Sequence, residues 1–123
     1  MSGTKFLLDT NAVLYILKGD ETLAQFVDGS QLFISVITQI ELLSYQKFTP
    51  KEEKIVLDFI DGCKIIYVND EIAEAAIKLR RKFRKKLPDT IIAATSILNS
   101  IPLISADRNF KEIKDLFLIF YEQ

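Results

Sequence analysis

Short apolar segments alternate with amphipathic ones from one end of the chain to the other. The first apolar segment, residues 6–8, stops at Asp9-Thr10-Asn11, and apolar residues then resume at helical spacing until Gly19. This pattern predicts a buried strand that runs directly into a helix. Further segments with the length and composition of strands lie at 32–35, 64–68, 102–105 and 116–121.

Between these strands, apolar residues recur at helical spacing. The pattern predicts helices at 22–27, 36–45, 50–62, 71–86, 88–98 and 110–115. The predicted buried face of 36–45 consists of Val36, Ile37, Ile40, Leu43 and Tyr45. That of 50–62 consists of Ile55, Leu57, Phe59 and Ile60. Segment 88–98 is small and apolar on nearly all sides, which predicts a deeply buried helix.

Strands and helices thus alternate without a repeat, a linker or a low-complexity stretch. Such alternation favours one parallel sheet covered by helices on both faces. We therefore expect a single domain, 1–123, with an α/β fold: a three-layer α/β/α sandwich around a parallel central sheet.

Composition restricts the possible chemistry. The chain has 16 Lys and Arg residues against 17 Asp and Glu, so its net charge of -1 gives no overall attraction to RNA. It contains no histidine and only one cysteine, Cys63, which excludes an internal disulfide and the usual zinc sites. No apolar run approaches the roughly 18 residues that a membrane span needs, so we expect a cytoplasmic protein without a membrane segment.

Four acidic residues follow or flank the predicted strands. Asp9 and Asp107 come directly after strands, Glu41 lies in the helix after the second strand, and Asp89 opens the buried helix. Because the carboxyl ends of parallel strands meet at one edge of a sheet, these four side chains are expected to converge there. Two carboxylates 4 Å apart repel by about 4 kcal/mol at an effective dielectric constant near 20, so such a cluster needs a cation.

A hard divalent cation is the natural partner of a cluster that has carboxylates but no histidine. Magnesium or manganese would suit it, and either ion can activate water and orient a phosphate for displacement. Each acid also has a simpler structural explanation. Asp9 and Asp89 could cap helices, Asp107 could be a turn residue, and Glu41 could point outward.

Other polar residues near the same edge have two interpretations. Thr10, Asn11 and Ser105 either form caps and turns or support an acid or a metal-bound water. The basic run that precedes Asp89 is either a solvated helix face or a phosphate-binding surface. Its candidate RNA contacts are Arg80, Arg81, Arg84 and Lys85.

Four motifs give the sequence a family resemblance. LLDTN at 7–11, SVITQIEL at 35–42, LPDTIIAAT at 87–95 and ISADRNF at 104–110 occur in this order. They resemble the motifs of the PIN domain family, which includes the VapC-type toxins. The resemblance implies a Mg²⁺- or Mn²⁺-dependent endoribonuclease whose acidic quartet is Asp9, Glu41, Asp89 and Asp107. It also implies that Asn11 and Ser105 support the site, although many members have threonine at the latter position.

The resemblance further implies a homodimer and a cognate antitoxin partner. We expect hydrolysis of RNA by water on a carboxylate-bound metal, with Asp9 as the central ligand. Asp89 and Asp107 would complete the metal shell, and Glu41 would orient water or bind a second ion. Three alternatives remain: an RNA-processing nuclease without an antitoxin, a non-catalytic metal- or protein-binding module, and a phosphotransfer domain. Against the last, Asn11 stands where haloacid dehalogenase phosphatases need a second aspartate.

Overall fold

The fold is built on five short strands. The computed structural model describes residues 3–122. Its strands are β1 (Lys5–Leu8), β2 (Gln31–Ser35), β3 (Lys64–Ile66), β4 (Leu103–Ser105) and β5 (Leu118–Phe120). They form one parallel sheet in the order β3-β2-β1-β4-β5, which confirms the predicted parallel sheet.

Helices connect the strands in sequence. They are α1 (Thr10–Leu17), α2 (Glu21–Val27), α3 (Val36–Leu43), α4 (Pro50–Asp61), α5 (Asp70–Phe83) and α6 (Leu87–Asn99). A 3₁₀ helix at Arg108–Glu112 follows β4. It replaces the predicted helix at 110–115, and the last strand is correspondingly shorter than predicted.

The two faces of the sheet carry separate apolar clusters. Successive residues of a strand point to opposite faces, so Leu8 packs with residues of α1, α2 and α4. Its neighbour Leu7 packs with α6 and with Phe110 of the 3₁₀ helix. A third cluster joins α5 to α6. The predicted three-layer α/β/α sandwich is therefore confirmed.

The connectivity creates a crevice beside β1. From this central strand the chain moves to β2 and β3 on one side, and later returns to β4 and β5 on the other. Ligands of open α/β sheets bind where the strand order reverses in this way, at the carboxyl ends of the strands. Here the reversal lies between β1 and β4, so Asp9 and Ser105, at the ends of these two strands, face the same crevice.

The predicted buried face of α3 is wrong, and that of α4 is right only in part. In α3 the buried side chains are Thr38 and Leu42, whereas Ile40 is 54% exposed. In α4 the predicted Ile60 is buried together with Val56, whereas the predicted Ile55 is 47% exposed. Each helix carries more apolar residues than it buries, so the position of the sheet, rather than apolar content, selects which i, i+4 pair faces inward.

Two predicted boundaries also shift. β3 ends at Ile66, because it lies at the edge of the sheet and its neighbour β2 ends at Ser35, which is paired with Ile66. Helix α5 stops at Phe83, and Arg84 takes a left-handed conformation with φ 54°. This residue turns the chain so that α6 packs back against α5.

Among residues 3–122, no helix combines the length and apolar character needed to cross a bilayer.

Candidate active site

A cleft of about 140 Å³ opens at the crevice beside β1. Its lining includes all four acids singled out in the sequence, together with three neighbouring residues. These residues are Asp9, Thr10, Asn11, Glu41, Asp89, Ile92 and Asp107. Residues far apart in sequence are therefore brought to one point by the parallel arrangement of the strands.

Asp9 lies at the bottom of the cleft and is only 6% exposed. Its Oδ1 accepts a hydrogen bond of 2.8 Å from the backbone N–H of Ala12, so it caps α1, as its simpler explanation required. Its Oδ2 accepts a hydrogen bond of 2.5 Å from the Ser105 hydroxyl. Capping therefore uses Oδ1, whereas Oδ2 accepts from a residue of the neighbouring strand β4.

Ser105 connects two of the acids. While its hydroxyl donates to Asp9, the same oxygen accepts a hydrogen bond of 2.9 Å from the backbone N–H of Asp107. Asp107 in turn caps the 3₁₀ helix by accepting a 2.9 Å hydrogen bond from the N–H of Asn109. Asp107 is thus a turn residue, as its simpler explanation held. The turn also keeps its carboxylate in the lining of the cleft.

Asp89 does not cap its helix. It lies in the first turn of α6, whose N-cap residue is Lys86, and no side chain caps this helix. The capping explanation is therefore wrong for Asp89. Its half-buried carboxylate lines the cleft.

Glu41 is exposed but held in place. Thr10 Oγ1 lies 2.5 Å from Glu41 Oε1, and the buried Thr38 Oγ1 lies 3.2 Å from Thr10 Oγ1. Asn11 is an exposed residue of the cleft lining. Sequence reasoning placed Thr10 at the site but missed Thr38. The signal available was a hydroxyl three residues before Glu41, on the same side of a helix.

Burial and repulsion between the acids raise the pKa values of Asp9 and Asp89. Burial, only partly offset by the hydrogen bonds from Ser105 and Ala12, raises the pKa of Asp9 to about 6, and the negative charges of Asp107 and Asp89 add to this rise. Burial also raises the pKa of Asp89, followed by repulsion from Asp107, while Lys86 opposes the rise. A positive charge in the cleft would relieve both carboxylates.

The donor set suits a hard cation. It consists of carboxylates and hydroxyls, the oxygen ligands that Mg²⁺ and Mn²⁺ prefer. Within residues 3–122, however, no three acidic or cysteine side chains stand close enough to hold one ion together directly. A shared ion would therefore draw in some oxygens by side-chain rotation or through water, and Mg²⁺ usually retains several waters.

The basic candidates occupy different places. Arg80 and Arg81 line a separate apolar groove of about 450 Å³ between α5 and α6, and Arg84 is exposed at the turn. Lys85 is close enough to Asp89 to lower the pKa of that acid, but it forms an ion pair with Glu112. Lys86, which sequence reasoning did not select, acts on Asp89 more strongly and is exposed.

The raised pKa of Asp9 predicts an unusual pH dependence of stability in EDTA. Between pH 3.8, the ordinary pKa, and pH 6 the folded state binds more protons than the unfolded state, so stability falls as the pH rises through this window. The loss approaches about 3 kcal/mol for a shift of about two units, and it is complete above pH 6. Urea unfolding of the wild type and of Asp9→Asn at several pH values measures it. Equal pH slopes in the two proteins would contradict the prediction.

Most of the chain, including the residues of the cleft, matches a known protein family. Residues 6–116 match the model of the PIN domain family, and this range includes all four acids of the cleft. No curated protein matches the sequence significantly.

Solved structures resemble the whole fold. A toxin-antitoxin complex from Klebsiella pneumoniae is similar at 29% identity and TM-score 0.82, over 99% of this chain and 100% of that one. VapBC2 from Rickettsia felis, bound to a DNA fragment from their promoter, is similar at 20% identity and TM-score 0.82, over 97% and 100%. VapBC-1 from nontypeable Haemophilus influenzae is similar at 21% identity and TM-score 0.76, over 95% and 98%.

Proposed function

This chain belongs to the PIN domain family, and from that premise we propose that it is a divalent-metal-dependent endoribonuclease. The proposed reaction is hydrolysis of RNA phosphodiester bonds with Mg²⁺ or Mn²⁺. The observation that carries the proposal is the convergence of four acids, from four separate segments, on one cleft at the reversal of strand order.

Three of the acids would hold the cation, some of them after side-chain rotation or through water. Asp9 presents Oδ2 from the bottom of the cleft, where Ser105 fixes its orientation. Asp107 is tied to the same serine through its backbone, and Asp89 stands on the first turn of α6. When bound, the ion would supply a Lewis acid for the scissile phosphate and lower the pKa of water.

Glu41 would orient the attacking water. The chain has no histidine to act as a general base. Among the four acids of the cleft, Glu41 is the most exposed. The Thr10 hydroxyl holds one of its carboxylate oxygens, so the other oxygen remains available to a water molecule. A fixed acceptor beside the reacting phosphate lowers the entropic cost of bringing water into line.

Lys86 is the basic residue best placed to contact an RNA phosphate. It is the N-cap residue of α6, three residues before Asp89, and is exposed, whereas Lys85 is paired with Glu112. Arg80, Arg81 and Arg84 would contact the substrate only if it extended along α5 beyond the cleft. We therefore add Lys86 to the four candidates named from the sequence and propose it as the principal phosphate contact.

Replacing Lys86 by alanine should weaken RNA binding and flatten its salt dependence. Loss of one phosphate contact lowers the slope of log K against log [salt] by about 0.7 for a single strand. Lys5→Ala is the matched control, because Lys5 begins β1 at the opposite edge of the sheet. Fluorescence anisotropy with Asp9→Asn as background, in Ca²⁺ buffer, measures binding without turnover. Equal slopes for Lys86→Ala and Lys5→Ala would contradict this role.

We extend the proposal to a biological role as the toxin of a toxin-antitoxin pair. Its support is the likeness to the Klebsiella pneumoniae toxin-antitoxin complex over nearly the full length of both chains. The cognate antitoxin and a homodimer are part of the same proposal. The alternative within the family is an RNA-processing nuclease that has no antitoxin.

The direct test is brief expression of the wild type and of Asp9→Asn, followed by mapping of new 5′ ends in total RNA. We expect discrete cleavage sites and growth arrest with the wild type only. Cleavage without arrest would favour the RNA-processing alternative. Mn²⁺ binding without any new 5′ ends would instead favour a non-catalytic module and overturn the nuclease proposal.

A further inference from the structure

A buried hydroxyl stands behind Glu41. Thr38 is 0% exposed and lies in α3, three residues before Glu41. Its Oγ1 is 3.2 Å from Thr10 Oγ1, which is itself 2.5 Å from Glu41 Oε1. The three side chains form a line from the interior of the protein to the cleft, and Thr38 is not part of the cleft lining.

The direction of the two hydrogen bonds follows from counting protons. The Thr10 hydroxyl has one proton, so it can donate to only one of its two neighbours. A hydrogen bond to a carboxylate is stronger and shorter than one between neutral hydroxyls, and the 2.5 Å contact with Glu41 is the shorter of the two. Thr10 therefore donates to Glu41, and in that arrangement the 3.2 Å contact is a hydrogen bond only when the Thr38 hydroxyl donates to the Thr10 oxygen.

This arrangement limits the freedom of both outer side chains. With Thr38 donating to it, the Thr10 oxygen has its proton directed away from the interior and toward Glu41. An exposed glutamate otherwise samples many rotamers, and fixing one costs about 1.5 kcal/mol of side-chain entropy. Because Thr10 is hydrogen-bonded to the buried Thr38, its contact with Glu41 reduces this cost at the moment of substrate binding.

We propose that Thr38 is a positioning residue: through Thr10, its buried hydroxyl holds the Glu41 carboxylate in the orientation needed to align water for RNA hydrolysis. The inference rests on the proposed function, since it assigns Thr38 a role in that reaction. Thr38 itself touches neither the substrate nor the cation, and its effect passes through Glu41.

The test compares Thr38→Val, which has the same shape without the hydroxyl, with Thr38→Ser, which keeps it. Single-turnover cleavage with Mn²⁺ at saturating RNA should slow about tenfold in Thr38→Val, as expected for loss of one hydrogen bond. RNA affinity should stay unchanged, and Thr38→Ser should cleave close to the wild-type rate. Thr95→Val is the matched control, because Thr95 is buried and donates only to the Ile91 carbonyl of its own helix.

Two further measurements separate positioning from a general structural effect. Adding Thr38→Val to Glu41→Gln should slow cleavage no further, because the role of Thr38 passes through the Glu41 carboxylate. In NMR spectra of the metal-free protein, the Thr10 hydroxyl proton should exchange slowly in the wild type and rapidly in Thr38→Val.

The outcomes distinguish this inference from the function on which it rests. If the wild type does not cleave RNA with Mn²⁺, the proposed function fails. If the wild type cleaves, the inference is overturned by a wild-type rate in Thr38→Val, by a Thr38→Ser as slow as the valine variant, or by multiplicative losses with Glu41→Gln. An unchanged Thr10 hydroxyl exchange rate in Thr38→Val overturns it independently of cleavage.

Discussion

Asp9→Asn should abolish RNA cleavage while leaving the fold intact. The substitution keeps the Oδ1 atom that accepts from Ala12, and asparagine is as good an N-cap as aspartate, so α1 retains its cap. It removes the negative charge at the bottom of the cleft, which is the central ligand of the proposed cation. We expect a loss of about a thousandfold or more, because metal stabilisation of the transition state is worth several kcal/mol.

The same variant should be more stable than the wild type in EDTA at neutral pH. The wild type keeps a buried carboxylate ionised there although its pKa is raised to about 6, whereas asparagine carries no charge to bury. Asp20→Asn is the matched control, since Asp20 caps α2 outside the cleft and likewise accepts from the backbone N–H three residues on. Cleavage by Asp9→Asn at the rate of Asp20→Asn, or a large loss of folding stability, would assign Asp9 a structural role.

Asp89→Asn is expected to reduce cleavage by about a hundredfold, the upper range for weakening a metal site by one supporting group. Since Asp89 does not cap α6, the substitution should not lower the free energy of unfolding. Removing a carboxylate whose pKa is raised by burial and by Asp107 should instead slightly increase the free energy of unfolding at neutral pH.

Calorimetric Mn²⁺ titration together with single-turnover cleavage measures this effect. A shift of the Mn²⁺ dependence to higher concentration, with partial rescue by excess metal, identifies Asp89 as a ligand. Unchanged Mn²⁺ affinity together with lost cleavage would contradict that assignment.

The sequence was sufficient to predict the architecture and the convergence of the acids. Asp9 and Asp107 follow strands, and the alternation of elements forces a parallel sheet, so their meeting at one edge depends only on general rules of α/β folds. The depth of burial of α6 was predictable as well, because it is apolar on nearly all sides.

The faces of α3 and α4 were not fully predictable, because each helix carries more apolar residues than it buries. Only the position of the sheet decides that Leu42 and Val56 face inward while Ile40 and Ile55 face out. The link from Thr38 through Thr10 to Glu41 depends on the approach of α1 to α3, which no local pattern encodes. The ion pair of Lys85 likewise depends on Glu112, which is distant in sequence and lies in the 3₁₀ helix.

The central claim is that the acidic cleft cleaves RNA with a divalent cation. The most direct measurement is single-turnover cleavage of a labelled, single-stranded RNA by the purified wild type, first in EDTA and then across a Mn²⁺ titration. We predict no cleavage in EDTA, a rate that rises with Mn²⁺ and saturates, and full recovery when excess Mn²⁺ is returned to the EDTA-treated protein. Cleavage at the same rate in EDTA, or an equal rate for Asp9→Asn across the titration, would contradict the account.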